Sequence, residues 1–254
     1  MMRIDLSHVP ARGVPERTLY LREITGTQEL EAGSVEDLLQ TLVTDGGTAR
    51  PGDLTLSEQD IVAAALYGSL YGEVIECHVP CRACDRQFET RFAIKDWIAA
   101  LCEGPKVVRI GANAFEGPGG LQFRLPTRAD LAELAELPVD QQEPALRARC
   151  LLQGDPEASV LEATMAAAGP LLEGEIDATC PHCGAERSFL VRMDTYLMAA
   201  LAREWPIVTR EVHHLAMAYK WSRAEIMALP RSIRRDHVRL VLSDYSKPGV
   251  AAWR

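Results

Sequence analysis

The chain has 254 residues, 47% hydrophobic and 25% charged, with a formal net charge of −9. That is enough for one large domain or two small ones with a substantial core. The acidic balance disfavours a nucleic-acid binder, which needs a basic face to displace counterions from phosphates, and no apolar run approaches the roughly 20 residues that span a bilayer.

In chain order, the opening MMRIDLSHVPARG lacks the apolar stretch of a secretory signal, so the expected location is cytoplasmic, where thiols stay reduced. After this proline-containing lead, TLYLREITGTQELE reads as a strand or hairpin start. Ser34 and Asp37 have capping-box spacing and open a short helix, SVEDLLQTLV. TDGGTARPGD is a loop by its Gly, Pro and Asp content. Ser57 with Asp60 gives a second capping signal ahead of IVAAALYGSLYG, whose apolar residues recur at helical spacing, with Gly72 as the stop. The carboxylates Asp53, Glu58 and Asp60 are then accounted for by the positive end of that helix. Next, EVIECHV and QFETRFAI are strand-like runs flanking PCRACDR, and KDWIAAL is a short helix.

The pattern then begins again. KVVRIGANAF is strand-like, EGPGG is a turn, and LQFRLPTRADLAELAEL leads into helical segments through residue 168. GEIDAT, CPHCGAE and RSFLVRM follow, then the helix DTYLMAALARE, and the last fifty residues read as wholly helical. LYLREITGTQELE resembles LQFRLPTRADLAEL, with Leu19 and Leu121 102 positions apart; CRACDRQFETRFAIKDWIAAL resembles CPHCGAERSFLVRMDTYLMAAL, with Cys81 and Cys180 99 apart. Two matches at nearly one offset predict a duplicated unit. The expected fold class is α+β: a first repeat unit over residues 1–103 with the knuckle Cys81/Cys84, a second over 104–203 with the knuckle Cys180/Cys183, and a helical tail over 204–254.

Seven cysteines, four of them in two C-x-x-C pairs, suggest metal before disulfides in a reducing compartment. A redox C-x-x-C sits at the start of a helix, where dipole and free amides lower the thiol pKa. Here Gly184 directly follows Cys183 and strand-like sequence comes after it. Glycine is a poor first-turn residue for a helix, but it suits a tight turn with positive φ. One knuckle supplies only half of a tetrahedral zinc site, so Cys81, Cys84, Cys180 and Cys183 are expected to bind one structural zinc ion if the two units face each other. Cys77 reads as a core or edge thiol. His78 and His182 lie beside or within the knuckles and are expected to face solvent. Cys102 and Cys150 read as buried small hydrophobes.

No G-x-G-x-x-G, P-loop, G-x-S-x-G or H-E-x-x-H occurs. EVHH puts Glu211 and His214 at the spacing used in di-iron bundles, but in one copy only; a solvated helix face is the expectation. A zinc held by four thiolates has no open position with which to activate water, so the chain reads as a non-enzyme. In the tail, Ser222 with Glu225 forms a capping box, and Pro230 or Arg231 begins the next helix. Leu215, Tyr219, Trp221, Ile226, Leu229, Ile233, Val238 and Leu242 either close onto the body or form a partner-binding face. Arg231, Arg234, Arg235, His237 and Arg239 make a local basic cluster.

LTLSEQDIVAAALYGSLYG running into a C-x-x-C hairpin, the second C-P-x-C-G hairpin, and REVHHLAMAYKWSRAEIMALP together resemble the T-even phage baseplate-hub type of protein, in the version found in phage-tail-like contractile injection systems. The likeness runs from about Thr18 to Leu242 and is most specific in the knuckles and in W-S-x-A-E-I-x-A-L-P at 221–230. The first knuckle departs from it, reading C-R-A-C-D in place of C-P-A-C-G, with both sulfurs kept. The resemblance implies a non-enzymatic small subunit or assembly factor of a baseplate or hub, with other baseplate, hub, tube or spike subunits as partners and no small-molecule substrate. A zinc-ribbon nucleic-acid-binding or transcription-associated protein is the alternative reading, and a thiol oxidoreductase the third.

Overall fold

The computed structural model describes residues 1–245. Strand β1 (Met2–Asp5), within the lead, pairs antiparallel with β2 (Thr18–Leu21). Helices α1 (Gly26–Glu31) and α2 (Val35–Leu42) follow, then β3 (Val43–Thr44), which completes a three-stranded sheet in the order β1-β2-β3. Helix α3 (Leu56–Tyr71) leads into a two-stranded hairpin, β4 (Val74–Pro80) and β5 (Gln87–Ala93), and α4 (Ile94–Leu101). A four-stranded antiparallel sheet is built from β6 (Val108–Gly111), β7 (Ala114–Glu116), β8 (Gln122–Phe123) and β9 (Leu151–Gln153), with α5 (Arg128–Leu134) and α6 (Val139–Cys150) inserted between its last two strands. Then come α7 (Ala158–Ala168), a second two-stranded hairpin of β10 (Glu173–Thr179) and β11 (Glu186–Arg192), α8 (Met193–Arg203), α9 (Trp205–Tyr219), α10 (Arg223–Met227) and α11 (Arg231–Tyr245). The chain is mixed helix and sheet, as the α+β expectation has it. Strand β9 interrupts the stretch expected to stay helical through 168, and residues 246–254 of the expected helical tail lie outside the described residues.

Capping boxes start four of these helices, at Thr25/Gln28, Thr55/Glu58, Thr127/Asp130 and Ser222/Glu225. In each, the hydroxyl accepts the amide three residues on and that residue's side chain returns to the cap amide. The expected box at Ser34 is only half made. Asp37 N–H donates to Ser34 Oγ at 3.1 Å, but the Asp37 carboxylate accepts the Gly33 amide instead. Gly72 ends α3 at φ 99°, as expected.

The cap of α3 corrects the sequence reading, which placed it at Ser57 with Asp60. Both pairs share the same three-residue spacing. Thr55 wins because Glu58, in returning to the Thr55 amide, also receives the buried Arg17 guanidinium. Ser57 and Asp60 lie inside the helix, and Asp60 instead accepts the Leu172 amide at 2.9 Å. Burial outweighs that hydrogen bond and, with Asp194 and Glu173 nearby, pushes the Asp60 carboxyl up to about 6. A carboxyl raised above its unfolded value favours the fold while protonated; that contribution is complete below the ordinary carboxyl value and is lost as pH climbs toward 6. Asp60→Asn, which keeps an oxygen for Leu172, is therefore expected to stabilise the chain by about 2 kcal/mol near pH 7.5 and by about nothing near pH 3.5. Urea unfolding of both proteins at the two pH values checks this.

Three buried apolar clusters organise the elements. The largest joins Leu19 and Leu21, Leu38 and Leu42 of α2, Val62 and Leu66 of α3, and Ile75 and Phe88 of the first hairpin to residues from far along the chain: Leu172, Val191, and Met193, Leu197 and Leu201 of α8. It thus draws on both sides of position 103/104. Val107, Phe115, Leu121, Phe123, Leu125 and Leu161 form a second cluster, and Leu215, Ile226 and Val241 a third within the tail.

The tail meets the body through charge, which overturns two expectations. Arg231, Arg234 and Arg235 do not form a surface patch. Arg234 is fully buried and bonds Glu29 and Glu211; Arg231 bonds Glu29 at 2.7 Å and Glu204 at 2.9 Å; Arg235 bonds Glu204 at 2.8 Å and Glu211 at 3.2 Å. Glu211, expected on a solvated face with His214, is buried in this network. Charges withdrawn from water persist only when paired, and each carboxylate here meets two guanidinium groups. Of the tail's large apolar residues, Leu215 and Ile226 are fully buried, whereas Tyr219, Ile233 and Leu242 are exposed. No helix among the described residues is long and apolar enough to cross a membrane.

Candidate metal centre

Each C-x-x-C caps a hairpin in the same way. In the first, Cys81 N–H donates to Arg86 O and Asp85 N–H to Cys81 O, both at 2.8 Å; in the second, Cys180 N–H donates to Ala185 O and Gly184 N–H to Cys180 O, both at 2.9 Å. The residue after the second cysteine takes the left-handed conformation in each, with φ 54° at Asp85 and 75° at Gly184. Glycine adopts this freely, and aspartate is among the few other residues that tolerate it. The D of C-R-A-C-D therefore makes the same turn as the G of C-P-H-C-G.

The turn aims backbone amides at sulfur. Ala83 and Cys84 N–H point at Cys81, Arg86 N–H at Cys84, and Ala185 N–H at Cys183. Burial opposes ionisation of Cys81, but the two amides and the neighbouring thiols bring it down to about 7. The Ala185 amide favours a Cys183 thiolate, but the bond to Cys81, burial, and the Cys84 and Cys180 thiols together outweigh it and push Cys183 up to about 12. Four thiols at one point cannot all ionise without a cation among them.

The two hairpins meet at these tips. Cys81 Sγ lies 3.6 Å from Cys183 Sγ, Cys84 Sγ lies 3.9 Å from Cys180 Sγ, and all four sulfurs are within 4.8 Å of one another. All are free thiols, well beyond the roughly 2.05 Å of a disulfide. Cys81 and Cys180 are buried against the large apolar cluster, Cys84 is half-buried and Cys183 is exposed. The four can hold one metal ion.

The other candidates stay outside the cluster. Cys77 is buried on the core side of β4. His78 is exposed with Nδ1 3.6 Å from Glu89, and His182 is exposed at the tip. Cys150 is fully buried, but Cys102, expected to be buried, is only half so, because it stands at the C-cap of α4. A tight turn that aims amides at sulfur is legible in the glycine after Cys183, but which residues donate, Ala83, Cys84, Arg86 and Ala185, is not, since a backbone N–H carries no residue signature. Compared with known proteins, the chain matches no family model, no curated protein and no solved structure.

Proposed function

We propose that Cys81, Cys84, Cys180 and Cys183 bind a single structural zinc ion, and that the protein is a non-enzymatic subunit whose two halves the ion fastens together. The carrying observation is the sulfur spacing. Zinc–sulfur bonds of about 2.3 Å at tetrahedral angles require sulfurs about 3.8 Å apart, and the two cross-hairpin distances are 3.6 and 3.9 Å. A four-thiolate, amide-bonded set suits zinc above harder cations, which prefer oxygen, and leaves no coordination position for substrate or water.

The reading includes duplication of residues 1–103 as 104–203, each with a zinc-knuckle hairpin. In support, the element order from β2 to α4 recurs from β8 to α8, the knuckle hydrogen bonds repeat bond for bond, and the capping-box threonines Thr25 and Thr127 are in register with Leu19 and Leu121. The role we assign is that of a baseplate or hub component of a phage-tail-like contractile particle, assembled in the cytoplasm; this assignment rests on the sequence likeness. The nucleic-acid alternative rests on the knuckles themselves; burial of Arg231 and Arg234 against carboxylates weighs against it, because a basic cluster at the end of the chain loses two of its charges to the interior.

Purified protein is expected to carry about one zinc per chain, and cobalt substitution to give intense sulfur-to-metal charge-transfer absorption. Metal-free protein whose four knuckle thiols alkylate as fast as Cys102 would count against the zinc reading. Complete, working particles from a strain lacking the gene would remove the assembly role.

A further inference from the structure

Both C-x-x-C hairpins are two-stranded, so β4 and β11 each keep one edge without a strand partner among the described residues. The turn bonds identify which groups that edge presents. Cys81 bonds Arg86 and Ile94 bonds Glu73, so the inward-bonded positions of β4 are its odd-numbered residues. Bonded and non-bonded pairs alternate along an antiparallel ladder; the N–H and C=O groups of Glu76 and His78 therefore point outward. In the second hairpin, Cys180 bonds Ala185 and Met193 bonds Leu172, which leaves Ser188, Leu190 and Arg192 outward on β11.

These two edges line one groove of about 480 Å³, together with α8. Glu76, His78, Leu190 and Arg192 stand on its walls, and Phe189 and Tyr196 are apolar surface within it. One outward acceptor is already taken: Tyr196 donates its hydroxyl to the Glu76 carbonyl. The remaining outward groups, the Glu76 and His78 amides and the His78 and Leu190 carbonyls among them, have no hydrogen-bond partner among the described residues. Such edges are normally blunted by charge, proline or a bulge; Glu76, Arg192 and the terminal Pro80 of β4 do this in part, but Leu190 is left 59% exposed.

Charge chooses the occupant. Glu76 is met by Arg91, and Arg192 by Glu173 and Asp194. Arg203, at the groove, stacks over the Tyr196 ring at 5.9 Å and has no carboxylate within 4.0 Å among the described residues. We propose that this groove binds an extended peptide segment of a partner protein, which adds a strand to the free edge of β4 or β11, sets an apolar side chain against Phe189 and Tyr196, and places an acidic residue on Arg203. Strand addition draws affinity from main-chain bonds and specificity from alternate side chains, and both are supplied here. The inference goes beyond the metal-site reading and leans on it only because the sulfur junction sets the spacing of the hairpins.

The test uses full-length protein with its metal content measured first. Three synthetic peptides of about seven residues, alternating valine with glutamate, threonine or lysine, are titrated while amide hydrogen exchange is followed. Expected results are binding in the order glutamate, threonine, lysine; slowed exchange at Glu76, His78, Leu190 or Arg192; about threefold to fivefold weaker binding of the glutamate peptide to Arg203→Glu; and about tenfold or greater loss when alternate peptide nitrogens are methylated. Failure of all three peptides to bind overturns the proposal, as does protection elsewhere, or a dimer of the free protein in which these amides are already protected. A fully metal-loaded protein that ignores the peptides sinks this inference alone, whereas a protein without metal counts against the zinc reading.

Discussion

Replacing Cys180 by serine is expected to abolish stoichiometric metal binding and to lower the melting temperature by about 10 °C or more. The reason is coupling. No metal site exists in an unfolded chain, so the binding free energy, about 10–16 kcal/mol in small structural zinc peptides, becomes folding free energy. In this protein a bound ion would also close a loop between hairpins whose cysteines stand 96 residues apart, Cys84 to Cys180. Cys180 is fully buried, so its replacement also sets a hydroxyl against the apolar cluster. Cys183, exposed at the tip, separates the two effects: Cys183→Ser should lose metal with little direct packing cost. A chelator should lower the melting temperature of the parent protein and leave that of either variant unchanged, while Cys150→Ser should keep its metal. Differential scanning calorimetry with parallel metal analysis reads all of these. Unchanged melting of the parent after complete metal removal would show that the hairpins are held by packing alone.

Arg234→Met should be the most damaging change away from the cysteines. Arg234 is fully buried and bonds Glu29 and Glu211, which are themselves buried. Methionine fills much of the same space but leaves each carboxylate with one guanidinium, Arg231 for Glu29 and Arg235 for Glu211. Removing one partner from a buried ionic set costs about 3–5 kcal/mol, mostly because charge is stranded. The double variant Arg234→Met with Glu29→Gln should be more stable than Arg234→Met alone, since it removes one of the stranded charges. Urea unfolding gives both numbers, and proteolysis at the α8–α9 junction reports whether the tail has come away. A single-variant cost below about 1 kcal/mol would mean that the tail stays docked through apolar contacts. Packing around Arg234 is close: a Cβ added at Gly26 would lie 2.8 Å from its Nη1.

Local rules placed many of the turns and helix ends, although the Ser34 box was only half made. The capping box at Ser222, the stop at Gly72, the strand character flanking both knuckles and the turn glycine at Gly184 all express steric and hydrogen-bonding preferences acting over a few residues. The cap of α3 was misplaced because TLSE and SEQD satisfy the same spacing, and the choice depended on Arg17, 41 residues from Glu58. The arginine cluster failed for a related reason. A basic run is normally solvated, and nothing near residues 231–235 announces carboxylates at Glu29 and Glu204, the first of them 202 residues from Arg231. Strand β1 within the lead carries only four residues of weak pattern and is defined by its pairing with β2.

What the sequence determined by itself was the set of parts: two C-x-x-C turns with flanking strands, helices punctuated by their caps, and an acidic chain with seven thiols. These follow from short-range geometry, which each segment carries wherever it is placed. Only the tertiary structure decided that the two turns meet sulfur to sulfur, that α8 packs into the cluster begun by the first hundred residues, and that the tail's arginines face inward. Those outcomes depend on which distant surfaces exclude water from one another, and burying a charge or gathering four thiols is favourable only once the opposite partner, contributed from elsewhere in the chain, is already in place.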